Sequence, residues 1–113
     1  MEISPLKQEV TQLHAEVCSA LADPSRILIL YALSEQSHTV NDLSSILNLP
    51  QSTVSRHLKI LRDCNLVEFV RQGTNMEYHL ADHRLIEALD LLRGVMRDRL
   101  ARRASIVMES LTE

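Results

Sequence analysis

Apolar residues near the start of the chain recur at intervals of three and four, which is the spacing of one helical face. This first series comprises Leu6, Val10, Leu13, Val17 and Leu21. Ser4 and Pro5 precede it as a typical helix start, with serine as the N-cap and proline at the first helical position. The pattern therefore predicts a first helix over residues 5–22.

Two further helices are predicted where capping residues precede apolar series. Asp23 and Pro24 begin a second helix, which is dense in apolar residues. Thr39 and Asp42 resemble a capping box at the start of a short third helix. Asn48 is expected to end that helix in a left-handed conformation, because asparagine tolerates positive φ.

The spacing of apolar residues changes from helical to alternating after a fourth helix. Residues 51–63 predict a fourth helix, whose inward side chains are Val54, Leu58 and Leu61. Asn65 is its expected left-handed C-terminal residue. Residues 67–80 alternate around the turn sequence Gln72-Gly73-Thr74-Asn75, and this predicts a β-hairpin.

A long amphipathic helix is predicted over residues 82–110, with Asp82 as its cap. Its apolar face comprises Leu85, Leu89, Leu92, Met96 and Leu100. A chain of 113 residues would leave much of this face exposed, and an exposed apolar stripe usually marks an interface. The stripe therefore predicts a homodimer.

The predicted element order is α-α-α-α-β-β-α, a single mainly α domain over residues 1–113 with a small β-hairpin. The helix-turn-helix covers residues 39–63, and the hairpin at 67–80 follows it directly, which is the arrangement of a winged helix-turn-helix. In such a unit the second helix enters the major groove of DNA.

The outward face of the fourth helix carries hydroxyl, amide and cationic side chains, which suit contacts with base edges and phosphates. The predicted DNA-binding residues of this helix are Gln51, Ser52, Thr53, Ser55, Arg56, His57 and Lys59. The hairpin tip adds Arg71, Gln72, Thr74 and Asn75 for backbone or minor-groove contact. We therefore predict double-stranded DNA as the partner, with a purely protein-binding winged helix as the alternative.

Charge is unevenly distributed, although the net charge is −3. Residues 1–50 carry two basic and six acidic side chains, whereas residues 51–75 carry four basic and two acidic side chains. The net-positive stretch thus coincides with the predicted DNA-binding segment. Aromatic residues are scarce, with one Phe, two Tyr and no Trp, so the core is expected to be aliphatic.

Several protein classes are disfavoured by the sequence. It has neither a glycine-rich phosphate loop nor a triad-like grouping, so we do not expect an enzyme. Signal-peptide and membrane-spanning patterns are both missing, which predicts a cytoplasmic protein without a membrane partner. Two cysteines in such a chain fit a reducing compartment.

These motifs together resemble the ArsR/SmtB family of bacterial repressors. Residues 20–30 are similar to its second-helix signature, residues 51–63 to its recognition helix and residues 71–80 to its wing. The resemblance spans roughly residues 10–100. It implies a repressor that binds a dyad operator as a homodimer and is released by an inducer. Pairing through the first and last helices adds Leu6, Val10 and Leu13 to the expected interface.

The metal sites common in that family are not recognisable here. The third-helix thiol motif is replaced by Thr39-Val-Asn-Asp-Leu43, and the last-helix zinc motif reads Asp82-His83-Arg84, with its histidine one place early. We therefore assign no cofactor and no metal site. A thiol-based sensor of arsenite, metal or oxidant at Cys18, Cys64 and His14 is the alternative, against two inert core thiols.

Overall fold

Helices dominate the computed structural model, which describes residues 2–112. The elements are α1 (Ile3–Leu13), continued by a π-helical turn (His14–Cys18), then α2 (Pro24–Glu35), α3 (Val40–Leu47), α4 (Gln51–Asp63), β1 (Val67–Gln72), β2 (Asn75–Leu80) and α5 (Arg84–Thr112). The mainly α fold with one hairpin and the predicted element order are confirmed. The chain divides into two compact units, of which the first ends at His83 and the second is α5.

The N-terminal helix differs from the prediction for residues 5–22. It begins at Ile3 after Glu2, so Ser4 lies inside the helix and is not its N-cap. Within His14–Cys18 the hydrogen bonds widen, and the Ser19 N–H bonds to the His14 carbonyl five residues back. A π turn of this kind shifts the angular position of every later side chain, so the apolar series does not keep a single helical face.

The predicted side-chain caps are present at the starts of α2 and α3. The Asp23 carboxylate accepts a hydrogen bond from the Ser25 N–H at 2.8 Å. Thr39 and Asp42 form both bonds of a capping box, each 3.1 Å long. These bonds satisfy backbone N–H groups that a helix start otherwise leaves without partners, and they fix where α2 and α3 begin.

The predicted left-handed residues end both helices of the helix-turn-helix. Asn48 has φ of 54° and Asn65 has φ of 61°. After α4, the Leu66 N–H donates to the Leu61 carbonyl at 2.9 Å, and the Asn65 N–H donates to the Arg62 carbonyl at 2.9 Å. This bond pair is a Schellman motif, which turns the chain directly from α4 into β1.

The hairpin pairs β1 and β2 in antiparallel register, from Val67 opposite Leu80 to Gln72 opposite Asn75. Gly73 is the first residue of the two-residue turn and has φ of 62°, whereas Thr74 is not in the positive-φ region. Positive φ at the first turn position alone is typical of a type II′ turn, which matches the twist of the paired strands.

An isolated backbone pairing joins the hairpin to the segment before α3. His38 exchanges two hydrogen bonds with Tyr78, at 3.1 and 2.8 Å. His38 is therefore only 7% exposed. The hairpin and the segment before α3 are therefore held together at His38.

The core of the first unit is aliphatic, as its composition predicts. The largest fully buried side chains are Ile29, Leu30, Leu43, Val54, Leu58, Leu61 and Val67. Three of them lie on the inner face of α4, where the sequence placed them. Burial of that face fixes which side of α4 points to solvent.

Helix α5 begins two residues after Asp82 and extends to Thr112, slightly displaced from the predicted 82–110. Leu92, Met96 and Leu100 of its apolar stripe are 64%, 56% and 55% exposed. Leu85 is half-buried, and Leu89 is buried. None of the helices within residues 2–112 has both the length and the hydropathy that a membrane span requires.

Candidate nucleic-acid interface

The turn between α3 and α4 is held by two local hydrogen bonds, one of them from a side chain. The Leu49 N–H donates to the Ser44 carbonyl at 3.1 Å, and the Ser44 hydroxyl donates to the Leu49 carbonyl at 2.5 Å. Pro50 then precedes α4 and has no side-chain group that could cap it. The uncapped start of a helix carries partial positive charge and outward N–H groups, which suit a phosphate.

The outer face of α4 is open to solvent over its first three turns. Its exposed polar side chains are Gln51, Ser52, Ser55, Arg56 and Lys59, and Thr53 and His57 are half-buried. The Lys59 ammonium lies 3.1 Å from the Asp63 carboxylate on the same helix. Exposed pairs of this kind contribute little to stability, so Lys59 can exchange Asp63 for a phosphate.

Gln51, the first side chain on the outer face of α4, is hydrogen-bonded to α3. The Gln51 amide donates a hydrogen bond to the Asn41 side-chain carbonyl. Both residues line a groove that runs to the hairpin tip, together with Thr39, Val40, Asp42, Thr74, Asn75, Met76 and Tyr78. The groove brings the start of α3, the start of α4 and the wing onto one polar surface. Asn41 was not among the residues predicted from the sequence.

The wing presents its predicted residues to solvent. Arg71, Gln72, Thr74 and Asn75 are all exposed. The orientation of the wing relative to α4 depends on contacts that the sequence did not reveal. The Arg62 guanidinium lies 5.2 Å from the centre of the Phe69 ring, and the Phe69 and Tyr78 rings lie 5.8 Å apart. A cation over an aromatic face is attracted by the ring quadrupole, so Arg62 connects the end of α4 to β1.

His57 has a different environment from the rest of the predicted face. Its Nδ1 lies 3.3 Å from an Nη1 atom of Arg26 on α2. A guanidinium only donates hydrogen bonds, so Nδ1 is the acceptor and the ring proton lies on Nε2. His57 is thus attached to α2, and its contact with DNA stays a prediction.

Two capping carboxylates in this region are held in their ionised form. The backbone N–H of Thr39 lowers the pKa of Asp42 below 3.8, with the Thr39 hydroxyl and His38 adding to the effect. The backbone N–H of Ser25 lowers the pKa of Asp23 below 3.8, and the nearby Arg26 guanidinium adds a smaller effect. Hydrogen bonds to a carboxylate favour its charged form.

Acid is expected to destabilise the fold through these two carboxylates. Their folded-state pKa values are below the unfolded-state value, so their contribution is present above pH 3.8 and is lost as the pH falls through the folded values. The variant Asp23→Asn/Asp42→Asn is expected to lose less stability between about pH 5 and about pH 3. Urea unfolding at both pH values measures the difference. The double variant Asp98→Asn/Glu109→Gln on exposed α5 is the charge-matched control, because it also removes two carboxylates. Equal acid sensitivity of Asp23→Asn/Asp42→Asn and the wild type would contradict the assignment.

The candidate sensor residues show no assembled site. Cys18 is exposed, Cys64 is half-buried, and both are free thiols. His14 is exposed in the π turn. Among residues 2–112 no three His, Cys, Asp or Glu side chains are grouped to hold a metal ion. A response of Cys18, Cys64 or His14 to arsenite, metal or oxidant therefore stays a prediction.

Comparison with known sequences places the helix-turn-helix in a family of regulators. Residues 23–68 match the family described as bacterial regulatory protein, arsR family. A transcriptional repressor SmtB homolog of Synechocystis is 42% identical over 85 residues, covering 75% of this chain and 63% of that protein. The Mycobacterium tuberculosis regulator NmtR is 36% identical over 87 residues, covering 77% of this chain and 72% of NmtR. The chain thus spans less than two thirds of the Synechocystis relative.

Solved structures show the same fold. Mycobacterium tuberculosis Rv0081 is 34% identical, with a TM-score of 0.75 over 84% of this chain and 96% of Rv0081. Mb0332 of Mycobacterium bovis is described as a homodimeric winged helix-turn-helix DNA-binding domain. It is 27% identical, with a TM-score of 0.74 over 86% of this chain and 89% of Mb0332.

Proposed function

Because this chain belongs to the arsR family of bacterial regulatory proteins, we propose that it is a transcriptional regulator that binds double-stranded DNA. The family consists of regulators and not of enzymes. The observation that carries the proposal is the two-sided character of α4. Its inner leucines and valine are buried, whereas its outer face carries exposed hydroxyl, amide and cationic groups.

Within this proposal, α4 lies in the major groove and the wing contacts the flanking backbone. Arg56 can donate two hydrogen bonds to guanine, and Gln51 can pair with adenine. The uncapped start of α4, Lys59 and Arg71 serve phosphates. Phosphate contacts set the position on the duplex and base contacts give the sequence preference, so the two groups of residues have separable effects.

We further propose that two copies act together as a repressor. The Mycobacterium bovis neighbour is a homodimer, and the SmtB relatives are repressors. In this chain α1 and α5 each present an exposed apolar face that a second copy could cover. A two-fold axis would place two α4 helices about 34 Å apart, one turn of DNA, which suits a dyad operator. An inducer would then lower the affinity of the dimer for that operator.

Salt dependence tests DNA binding directly. A duplex selected by the purified protein from a random pool serves as the probe, and its affinity is measured from about 50 to about 200 mM salt. The logarithm of the affinity is expected to fall linearly with the logarithm of salt concentration, with a slope of about −0.9 per neutralised phosphate. If no duplex is enriched, or the affinity does not change with salt, the protein-binding alternative is favoured and the proposed function fails.

A further inference from the structure

We propose that Arg26 is a positioning residue for α4. Its side chain contacts His57 on α4 and also binds the end of the N-terminal helical segment. Arg26 lies in the first turn of α2, and its side chain is 13% exposed. The proposal rests on the proposed DNA-binding function, since it assigns a residue that orients the DNA-reading face.

Two donors of Arg26 bind the end of the N-terminal segment. Its Nε donates to the Ala20 carbonyl at 2.6 Å, and its Nη2 donates to the Ser19 carbonyl at 3.3 Å. The last carbonyls of a helical segment lack the regular N–H partners of its interior, so a guanidinium donor helps to fix their position. The Ser19 carbonyl also accepts the Ala22 N–H at 3.3 Å. Arg26 therefore holds the chain directly after the π turn of His14–Cys18 against α2.

The remaining side of the guanidinium faces α4. Its Nη1 lies 3.3 Å from the Nδ1 of His57 and 4.0 Å from the carboxylate of Asp23. Asp23 also accepts the Ser25 N–H, so its position is fixed by the start of α2. A largely buried cation requires such partners, because an unpaired charge away from water is costly.

The planar shape of the guanidinium makes these contacts depend on each other. Its N–H groups have fixed relative directions, so His57 keeps its contact only while Ser19 and Ala20 keep theirs. His57 follows Arg56 directly on α4, so a shift of the helix backbone at His57 would also move the predicted base-reading side chain. A lysine cannot reproduce the arrangement, since it offers a single flexible point charge.

The variant Arg26→Lys keeps the charge and removes the planar arrangement of donors. We expect it to lose at least about tenfold in affinity for the selected duplex relative to a shuffled duplex, the effect of one hydrogen bond to a charged group. The salt slope is expected to stay unchanged, because no phosphate contact is lost. Arg102→Lys on exposed α5 is the matched control and is expected to keep the wild-type discrimination.

A second variant tests the link itself. His57→Leu removes the acceptor at the α4 end of the connection, and it replaces Arg26→Lys if that variant does not fold. We expect His57→Leu to lose a similar discrimination, and the double variant to lose no more than either single variant, because all three break one connection.

Other outcomes would overturn the proposal. A lower unfolding temperature with wild-type discrimination would make Arg26 purely structural. A salt slope reduced by about 1 would make it a phosphate contact. Additive losses in the double variant would mean that Arg26 and His57 act separately. Failure of the wild type to enrich any duplex would instead refute DNA binding, so the two failures are distinguishable.

Discussion

Replacing Arg56 by alanine is expected to weaken binding of the selected duplex about 5- to 150-fold for each half-site, the effect of losing about 1–3 kcal/mol of base contact. Arg56 is exposed on the outer face of α4, so its removal takes nothing from the core. Surface substitutions of this kind change the free energy of unfolding by no more than about 0.5 kcal/mol. Binding titrations and urea unfolding of the same preparation measure the two quantities separately.

Lys59→Ala is the matched comparison for Arg56→Ala, because both cations lie on the same face of α4. A phosphate contact at Lys59 would weaken all duplexes alike and reduce the salt slope by about 1. Loss of Arg56 should instead reduce the preference for the selected duplex over a shuffled one. Unchanged affinity of the Arg56 variant would show that this face of α4 does not read DNA.

Truncation of Leu92 to alanine is expected to weaken the dimer at least about 100-fold. Leu92 is 64% exposed in the single chain and lies on the apolar stripe of α5. Full burial of a leucine contributes about 1.5–3 kcal/mol, and a dimer contains the residue twice. Sedimentation over a dilution series should give the wild type twice the mass of the 12.8 kDa chain and move the midpoint of the variant to higher concentration.

The neighbouring Leu91 provides the control for this substitution. It is 73% exposed and lies about 100° from Leu92 around the helix, away from the stripe. Leu91→Ala removes the same atoms and is expected to leave the dimerisation midpoint in place. Equal behaviour of the two variants, or a monomeric wild type, would contradict the proposed use of α5.

The features predicted correctly from sequence are mostly local. The capping box of Thr39 and Asp42, the left-handed Asn48 and Asn65, and the Asp23 cap each depend on a few consecutive residues. Their hydrogen bonds form within one turn of chain, so the residue types determine them. The inner face of α4 could be predicted equally well from sequence, because helical periodicity alone separates buried from exposed positions.

The features that sequence reasoning missed join distant segments. The pairing of His38 with Tyr78 joins positions forty residues apart, and Arg26 reaches His57 across thirty-one. Arg62 over Phe69 is similar, because it depends on how the Schellman turn directs β1. No periodic pattern encodes such contacts. The π turn at His14–Cys18 was missed because the apolar residues continue through it in steps of three and four, as they would in a regular α-helix.

The spacing of apolar residues on α5 has a geometric consequence for any pairing along that helix. Two series advance in steps of eleven residues, namely Leu85, Met96, Val107 and Leu89, Leu100, Leu111. Eleven residues over three turns is 3.67 residues per turn, slightly more than the 3.6 of an α-helix. Two copies in contact along this line would therefore wind around each other with a gentle right-handed twist, opposite to the left-handed supercoil that a seven-residue repeat imposes.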